Sequence, residues 1–552
     1  MKLAHHSFAF LVTAVSASSA PAVVQVRNGT YTGLVQDSFD QHHFLGIPYA
    51  QPPVGALRFK PPQSLSSSWS GSRNAAAYAP ACWSPTRDNL PPGSEMSEDC
   101  LAINVVRPAG VKANDELPVA VWIHGGGLVD GSSSESSYNL SFIVNKSVEM
   151  GTPIVAASFN YRLNGWGLLY GNLLHEEGSS HLGYRDQRLA LHWLQENIAA
   201  FGGDPEQVTI FGESAGAWSV GAQLLAHGGR DDGLFRGAVM QSGAPVWPEP
   251  NGPIFADDWE PYYQHIVSQT GCANTTDTLS CLRDVPAGKL TKAFEAPLEG
   301  FSRDWGHVVD GDFFETTTQK QIAEGKLPRV PLLMGINTDE GTSFAQQGIN
   351  TDDEFLNLVR ATGVDEDGVR ELAKLYPDDP AVGTPATLHG RPSGDLAYLG
   401  AQYKRVAAFA GDLIMHGPRR LMTDALAKTG ATLYSYHFNV TTDGPHMGAT
   451  HFAEVPFVFN SIEQQGGSEV PKHSKELANI MSRMWISFFI NLDPNYNEVS
   501  CLKWPLFEEP SRTNFVFDVH KKGNGYLEKE TLGVREEAIK GLIKRMYPLD
   551  LA

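Results

Sequence analysis

Residues 208 to 221 read Val-Thr-Ile-Phe-Gly-Glu-Ser-Ala-Gly-Ala-Trp-Ser-Val-Gly. A short apolar run passes into Gly212-Glu213-Ser214-Ala215-Gly216, and a stretch of small residues with helical character follows. A serine at such a strand-to-helix junction is a candidate nucleophile. The glycines two places either side leave room for its hydroxyl. The helix N-terminus behind it favours developing negative charge. The bare five-residue pattern is weak in a chain with 54 glycines; the strand before it and the helix after it give it content.

A serine nucleophile needs a base, an acid to orient the base, and donors for the oxyanion. After such an elbow the order along the chain is serine, acid, histidine. Val121-Trp122-Ile123-His124-Gly125-Gly126-Gly127 ends an apolar run in three glycines, whose lack of side chains lets backbone N–H groups approach a substrate oxygen. The segment Gly335-Ile336-Asn337-Thr338-Asp339-Glu340-Gly341 follows a strand-like run, and catalytic residues of such sheets sit beyond the carboxyl ends of strands. Asp339 and Glu340 both qualify. The base should lie beyond the acid. His446 and His451 sit in the glycine-containing loop Gly444-Pro445-His446-Met447-Gly448-Ala449-Thr450-His451, whereas His437 lies in strand-like sequence. Chemistry alone leaves the choice within each pair open.

The elements that must position these residues are legible as alternating runs. Strand-like apolar runs cover 119–123, 154–159, 208–211, 238–241, 332–336 and 432–438. Helical patterns lie between several of them, the clearest over 185–199, with Leu189, Leu191, Trp193, Leu194 and Ile198 among polar residues. Such alternation predicts an α/β fold with a mostly parallel sheet covered on both faces. Residues 350–430 are polar and helix-rich, and read as an insertion capping the sheet.

The chain has 552 residues and a formal net charge of -20. That balance argues against nucleic acid or an anionic membrane as partner. Residues 1–20 have a weakly basic start, an apolar stretch and small residues near Ala17 to Ala20, the pattern of a secretory signal peptide. Residues 21–552 then form one domain. No other stretch reaches the length of a membrane span, and the charged, amphipathic segment 535–546 is not a lipid-anchor tail. Five cysteines in a secreted chain predict up to two disulfides, Cys82 with Cys100 and Cys272 with Cys281, leaving Cys501 over. Sequons begin at Asn28, Asn139, Asn145, Asn274 and Asn439; if used, they lie on the surface. No Cys/His spacing suggests a metal, and no cofactor is expected.

Together these residues resemble the type-B carboxylesterase family, which includes cholinesterases and certain fungal lipases. Gly46-Ile47-Pro48-Tyr49-Ala50 with Pro52-Pro53-Val54-Gly55-Ala56-Leu57-Arg58-Phe59 is similar to its opening signature. Ser97-Glu98-Asp99-Cys100-Leu101-Ala102-Ile103-Asn104 is similar to its second, and the elbow with Glu213 and Ala215 flanking Ser214 to its third. The resemblance implies the α/β-hydrolase fold. It implies Glu340 as the acid, from the Asp-Glu-Gly segment. It implies His451 as the base, ahead of Glu454-Val455-Pro456-Phe457-Val458-Phe459. Oxyanion donors would be the N–H groups of Gly126, Gly127 and Ala215, with Glu213 and Ser242 supporting the site. It further implies the same cysteine pairing and ion pairs Arg58–Glu98 and Arg162–Asp186.

Two features depart from the family pattern. Leu128 stands where an aromatic residue usually follows the glycines, which would reshape the acyl side. The Cys82–Cys100 loop holds 17 intervening residues, among them Pro85, Pro91 and Pro92, and its large apolar residues are Trp83, Leu90 and Met96. Related lipases carry a longer amphipathic lid there. The expectation is therefore an esterase acting on soluble or moderately sized small-molecule esters. A lipase, or an acyltransferase or lactone-opening enzyme using the same triad, is the alternative, and a non-catalytic binding protein a remoter one. Trp166, Trp218 and Trp305 are candidates to line a gorge.

Overall fold

The structure, a computed structural model, describes residues 21–87, 90–230, 232–299, 305–463, 473–499, 502–531 and 533–548. The signal-like segment 1–20 and Cys501 lie outside the described residues.

The described residues build one thirteen-stranded sheet. Its centre is a parallel block in the order Val155–Phe159, Leu117–Ile123, Gly203–Glu213, Gly237–Gln241, Leu332–Asn337, Leu433–Phe438 and Thr513–Phe517. Ala102–Pro108, Gln41–Pro48, Gly29–Gln36 and Val23–Val26 continue it antiparallel on one side. Gly525–Lys529 closes it antiparallel on the other, and Ser72–Ala75, the thirteenth strand, pairs parallel with Gly29–Gln36. This is the mostly parallel α/β sheet expected from the alternation of runs, in the α/β-hydrolase architecture that the family resemblance implies. All six expected strands are present, most of them longer by a residue or more; Thr513–Phe517 and the antiparallel flank were not anticipated.

The central strands read as nearly continuous apolar runs because both faces are covered. Along Leu117–Ile123, Val119, Val121 and Ile123 pack into one core, and Ala120 and Trp122 into a second on the opposite face. That division follows from the two-residue period of a strand. The expected helix over 185–199 runs from Leu182–Asn197 and tightens into the 3-10 turn Ile198–Phe201. Within 350–430, Asp352–Arg360, Glu366–Leu375, Tyr403–Gly411 and Gly417–Thr429 are helical. Helix Tyr403–Gly411 crosses the turn Glu340–Ser343 so closely that a Cβ on Gly341 would collide with the Ala407 carbonyl. The amphipathic C-terminal segment forms Glu536–Met546 and buries Ala538, Ile539 and Leu542.

Cys82 is bonded to Cys100 and Cys272 to Cys281. Arg58 grips Glu98 with two hydrogen bonds of 2.6 and 2.7 Å, and also donates to the carbonyls of Leu282 and Val285. It thereby ties one disulfide loop to the end of helix Thr278–Asp284, which carries Cys281 of the other. Arg162 makes a similar fork to the fully buried Asp186, at 2.7 and 2.8 Å. Of the five sequon asparagines, Asn274 is exposed and the other four are half-buried. The side chain of Asn139 caps helix Leu140–Glu149, and the amides of Asn28, Asn145 and Asn439 donate hydrogen bonds.

Removing one partner of a buried pair leaves the other charge uncompensated. Arg162→Met should therefore lower stability by about 3–5 kcal/mol, read in urea unfolding, and Arg162→Met with Asp186→Leu should recover part of that loss. Equal stability of Arg162→Met and the parent chain would show that the fork contributes nothing.

Candidate active site

The strand Gly203–Glu213 ends one residue before Ser214, and helix Ala215–Gly229 begins one residue after it. Ser214 has φ 58° and ψ -125°. A side-chain-bearing residue is strained there, and the surroundings must enforce the conformation. They do so through tight packing. The Ser214 N–H donates to the Gln241 carbonyl at 2.9 Å, and the Trp218 N–H to the Ser214 carbonyl at 3.0 Å. A Cβ on Gly212 would lie 2.6 Å from the Gly216 carbonyl, and one on Gly216 would collide with that of Ile123. Both glycines are therefore required for the strand, turn and helix to lie against the neighbouring strand.

The glycine loop lies directly against this elbow. A Cβ on Gly125 would sit 2.7 Å from the Glu213 carbonyl and 3.1 Å from Ser214 Cβ. Gly126 and Gly127 take φ of +100° and +63°, and the chain emerges from the core at these two residues. Ala215 is the first residue of its helix, and the N–H groups of a helix's first turn have no partner within the helix. Leu128, at the departure from the family pattern, turns its side chain into the core.

Glu340 opens the turn after strand Leu332–Asn337. One carboxylate oxygen accepts the Asn337 N–H at 2.7 Å, and the other meets His451 Nδ1 at 2.6 Å. Asp339 points elsewhere. Its backbone N–H donates to the Ala449 carbonyl and its carboxylate accepts the Ala449 N–H, each at 2.9 Å. Asp339 thus pins the loop that carries His451. Burial raises its carboxyl to about 6. His446 takes no part in this pairing; its carbonyl accepts from the Tyr403 hydroxyl. His437 lies in strand Leu433–Phe438, and burial lowers it to about 4.

The second nitrogen of His451, Nε2, lies 3.2 Å from Glu213 Oε1. Burial disfavours the imidazolium, yet Glu213 and Glu340 outweigh that and raise it to about 9. Burial pushes the Glu213 carboxyl up, against the pull of His451, and Glu454, Glu340 and Glu135 push it further. A lone pair on Nε2 and an ionised carboxylate at 3.2 Å repel, so one proton belongs between them. Glu454 completes the acidic cluster. It is fully buried and accepts from Asn337 Nδ2 at 2.7 Å and Gln241 Nε2 at 3.2 Å. The residue reading missed this network. Its one signal is a glutamate three positions after the histidine. Ser242 follows Gln241 at φ 51°, and its buried hydroxyl has no hydrogen-bond partner among the described residues.

The three tryptophans diverge. Trp166 is buried, stacks with Phe59 and donates to Thr291, so it belongs to the core. Trp305 packs against Trp259 and Phe294 and borders a cavity of about 280 Å³ beside Val129. Trp218 borders a larger cavity of about 470 Å³.

Glu340 and His451 form a pair set against Glu213, the residue before the strained Ser214, and a glycine loop packs on that elbow of the α/β sheet, as an α/β-hydrolase requires. The chain belongs to the carboxylesterase family, whose description matches residues 20–534. It is similar to Lipase 4 of Diutina rugosa, at 35% identity over 94% of each chain. It is also similar to a secreted triacylglycerol lipase of Gibberella zeae, at 32% identity over 90% of this chain and 87% of the relative. The crystal structure of Aspergillus niger EstA superposes with a TM-score of 0.81 at 26% identity, covering 96% of this chain and 99% of that one. The chain is thus a carboxylic ester hydrolase.

Glu213 stabilises the charged imidazole, so Glu213→Gln should lower its pKa. The acid limb of the kcat/KM–pH profile should lie above that of an ordinary histidine in the parent enzyme, and shift to lower pH in the variant. An unmoved limb would show that the Glu213 carboxylate does not act on His451.

Proposed function

We propose that the protein is a secreted serine carboxylesterase whose triad is Ser214, His451 and Glu340. The reading is carried by the 2.6 Å pairing of Glu340 with His451 Nδ1. With Nδ1 so engaged, Nε2 is the nitrogen that takes the serine proton, once it has lost the proton it shares with Glu213. Ser214 Oγ attacks the ester carbonyl as its proton passes to His451. The N–H groups of Gly126, Gly127 and Ala215 hold the oxyanion. The bond to the alcohol oxygen breaks, and that oxygen takes the proton from His451. Water then repeats the sequence on the acyl-enzyme, releasing the acid and restoring Ser214. Glu340 holds the imidazole tautomer and offsets its transient charge. Each oxyanion donor is worth about 3 kcal/mol in the transition state.

Secretion is supported by the signal-like residues 1–20, by the two disulfides, and by secreted relatives such as that of Gibberella zeae. Residues 21–552 act as one catalytic unit on small-molecule esters. Among the described residues no helix is long and apolar enough to cross a membrane. A second reading, a lipase on long-chain esters, is favoured by the names of the relatives. The short Cys82–Cys100 loop weighs against it: Ala81–Cys82 pairs with Met96–Ser97, and Trp83 packs on the core.

Ser214→Ala should reduce hydrolysis of p-nitrophenyl acetate to near background, and a fluorophosphonate probe should label Ser214 and neither Ser219 nor Ser242. Undiminished turnover would remove the assignment. In a secreting fungal host, Asn274→Gln should remove one endoglycosidase-sensitive glycan, because Asn274 is the exposed sequon; an unchanged mass after the substitution would show that the site is not used.

A further inference from the structure

Trp218 lies four residues beyond Ser214, at the start of helix Ala215–Gly229. Side chains on a helix lean toward its N-terminus, so the indole leans back over the turn that carries the serine. The local packing agrees. A Cβ on Gly243 would lie 2.7 Å from the Ser214 carbonyl oxygen and 3.1 Å from Trp218 Cδ1, so indole and elbow share one neighbourhood. The Trp247 ring lies beside it, with centroids 6.1 Å apart.

Beyond this pair lies the cavity of about 470 Å³, walled by Val246, Ile254, Leu413, Ile414, and Met546 and Tyr547 at the end of the C-terminal helix. Glu249 and His307 also border it; Glu249 Oε1 and His307 Nε2 face one another at 3.4 Å without a hydrogen bond between them. Asn251, Asp258 and Thr362 add polar groups at the wall, but most of its lining is apolar and suits an alkyl chain. Neither Ser214 nor His451 lines the cavity. Trp218 is the lining residue nearest the serine in the chain, and its indole shares the neighbourhood of Gly243 with the Ser214 carbonyl.

We propose that Trp218 is the acyl-length gate of this esterase, closing the cavity to the acyl group on Ser214 and restricting the enzyme to short-chain esters. The proposal rests on Ser214 being the nucleophile. The cavity is assigned to the acyl part because the alcohol must leave beside His451, which takes no part in lining it. With the indole removed, the apolar cavity becomes continuous with the serine, and each further methylene finds apolar contact.

The test is the kcat/KM series of p-nitrophenyl esters from acetate to dodecanoate on the full mature enzyme. The parent should be fastest on acetate to butyrate. Trp218→Ala should raise the octanoate-to-acetate ratio by at least about tenfold, since even one methylene in a pocket changes specificity by that order. Trp218→Phe should move it the same way by less, and serves if the alanine variant does not fold. Ile414→Trp added to Trp218→Ala should refill the cavity and cancel the gain. A parent optimum at octanoate or beyond overturns the gate, as does an unchanged ratio in both Trp218 variants that still label fully with fluorophosphonate. In a series of acetates of lengthening alcohols, Trp218→Ala should behave as the parent; a gain there instead would assign the cavity to the alcohol and overturn the acyl assignment. With Ser214→Ala inactive, these failures fall on the gate alone; activity surviving in Ser214→Ala falls on the nucleophile assignment beneath it.

Discussion

One hydrogen bond, from His451 Nδ1 to Glu340 Oε2 at 2.6 Å, sets a requirement that much of the molecule serves. Its two residues are 111 positions apart in the chain; Glu340 is fully buried and His451 half-buried. Glu340 stands at the carboxyl end of one parallel strand. His451 stands on a loop after the next strand, Leu433–Phe438. The hydrogen bond forms only because the two strands lie side by side, in a register that pairs Asn337 with Phe438. Asp339 then stitches the histidine loop back onto the acid turn through Ala449. The neighbouring glutamate that does not touch the imidazole is held by Asn337 and Gln241 at the ends of two adjacent strands.

The charge arrangement around that bond is costly to bury. Glu213, Glu340 and Glu454 all lie inside the protein with essentially no exposure, and burial alone disfavours each ionised form. Backbone and side-chain donors support Glu340 and Glu454. Glu213 lacks such a donor for Oε1 among the described residues, and faces the imidazole instead. The result is a local negative potential focused on one ring. It favours the charged form of the His451 imidazole, and it keeps a proton within the His451–Glu213 pair. A site of this kind trades stability for a field that is already oriented before substrate arrives.

The periphery keeps that centre in place. Two disulfides close short loops, and Arg58 joins them by gripping Glu98 on one side and two helix carbonyls on the other. Arg162 and Asp186 lock the segment after strand Val155–Phe159 to helix Leu182–Asn197. Glycines serve at contacts where no side chain fits, as at Gly212, Gly216 and Gly341. The elbow's strained serine persists because strand, turn and helix are pressed together there.

The sequence by itself determined the elements and their order: six parallel strands as apolar runs, the elbow, the glycine loop, the helix over 185–199 and the candidate acids and bases. Those signals are local, set by hydrophobic period and turn chemistry, and so survive in a linear reading. Thr513–Phe517 escaped it because a five-residue strand beside polar turns carries little periodicity. Asp339 and Glu340 were equivalent by chemistry, and the resemblance to a family preferred the second. Only the tertiary structure decided which carboxylate meets the imidazole, because adjacent residues in a turn point in different directions. The buried Glu454 network and the placing of Trp218 on the wall of the cavity were likewise decided there. Each joins groups far apart in the chain, and proximity of that kind is made by packing, not by sequence spacing.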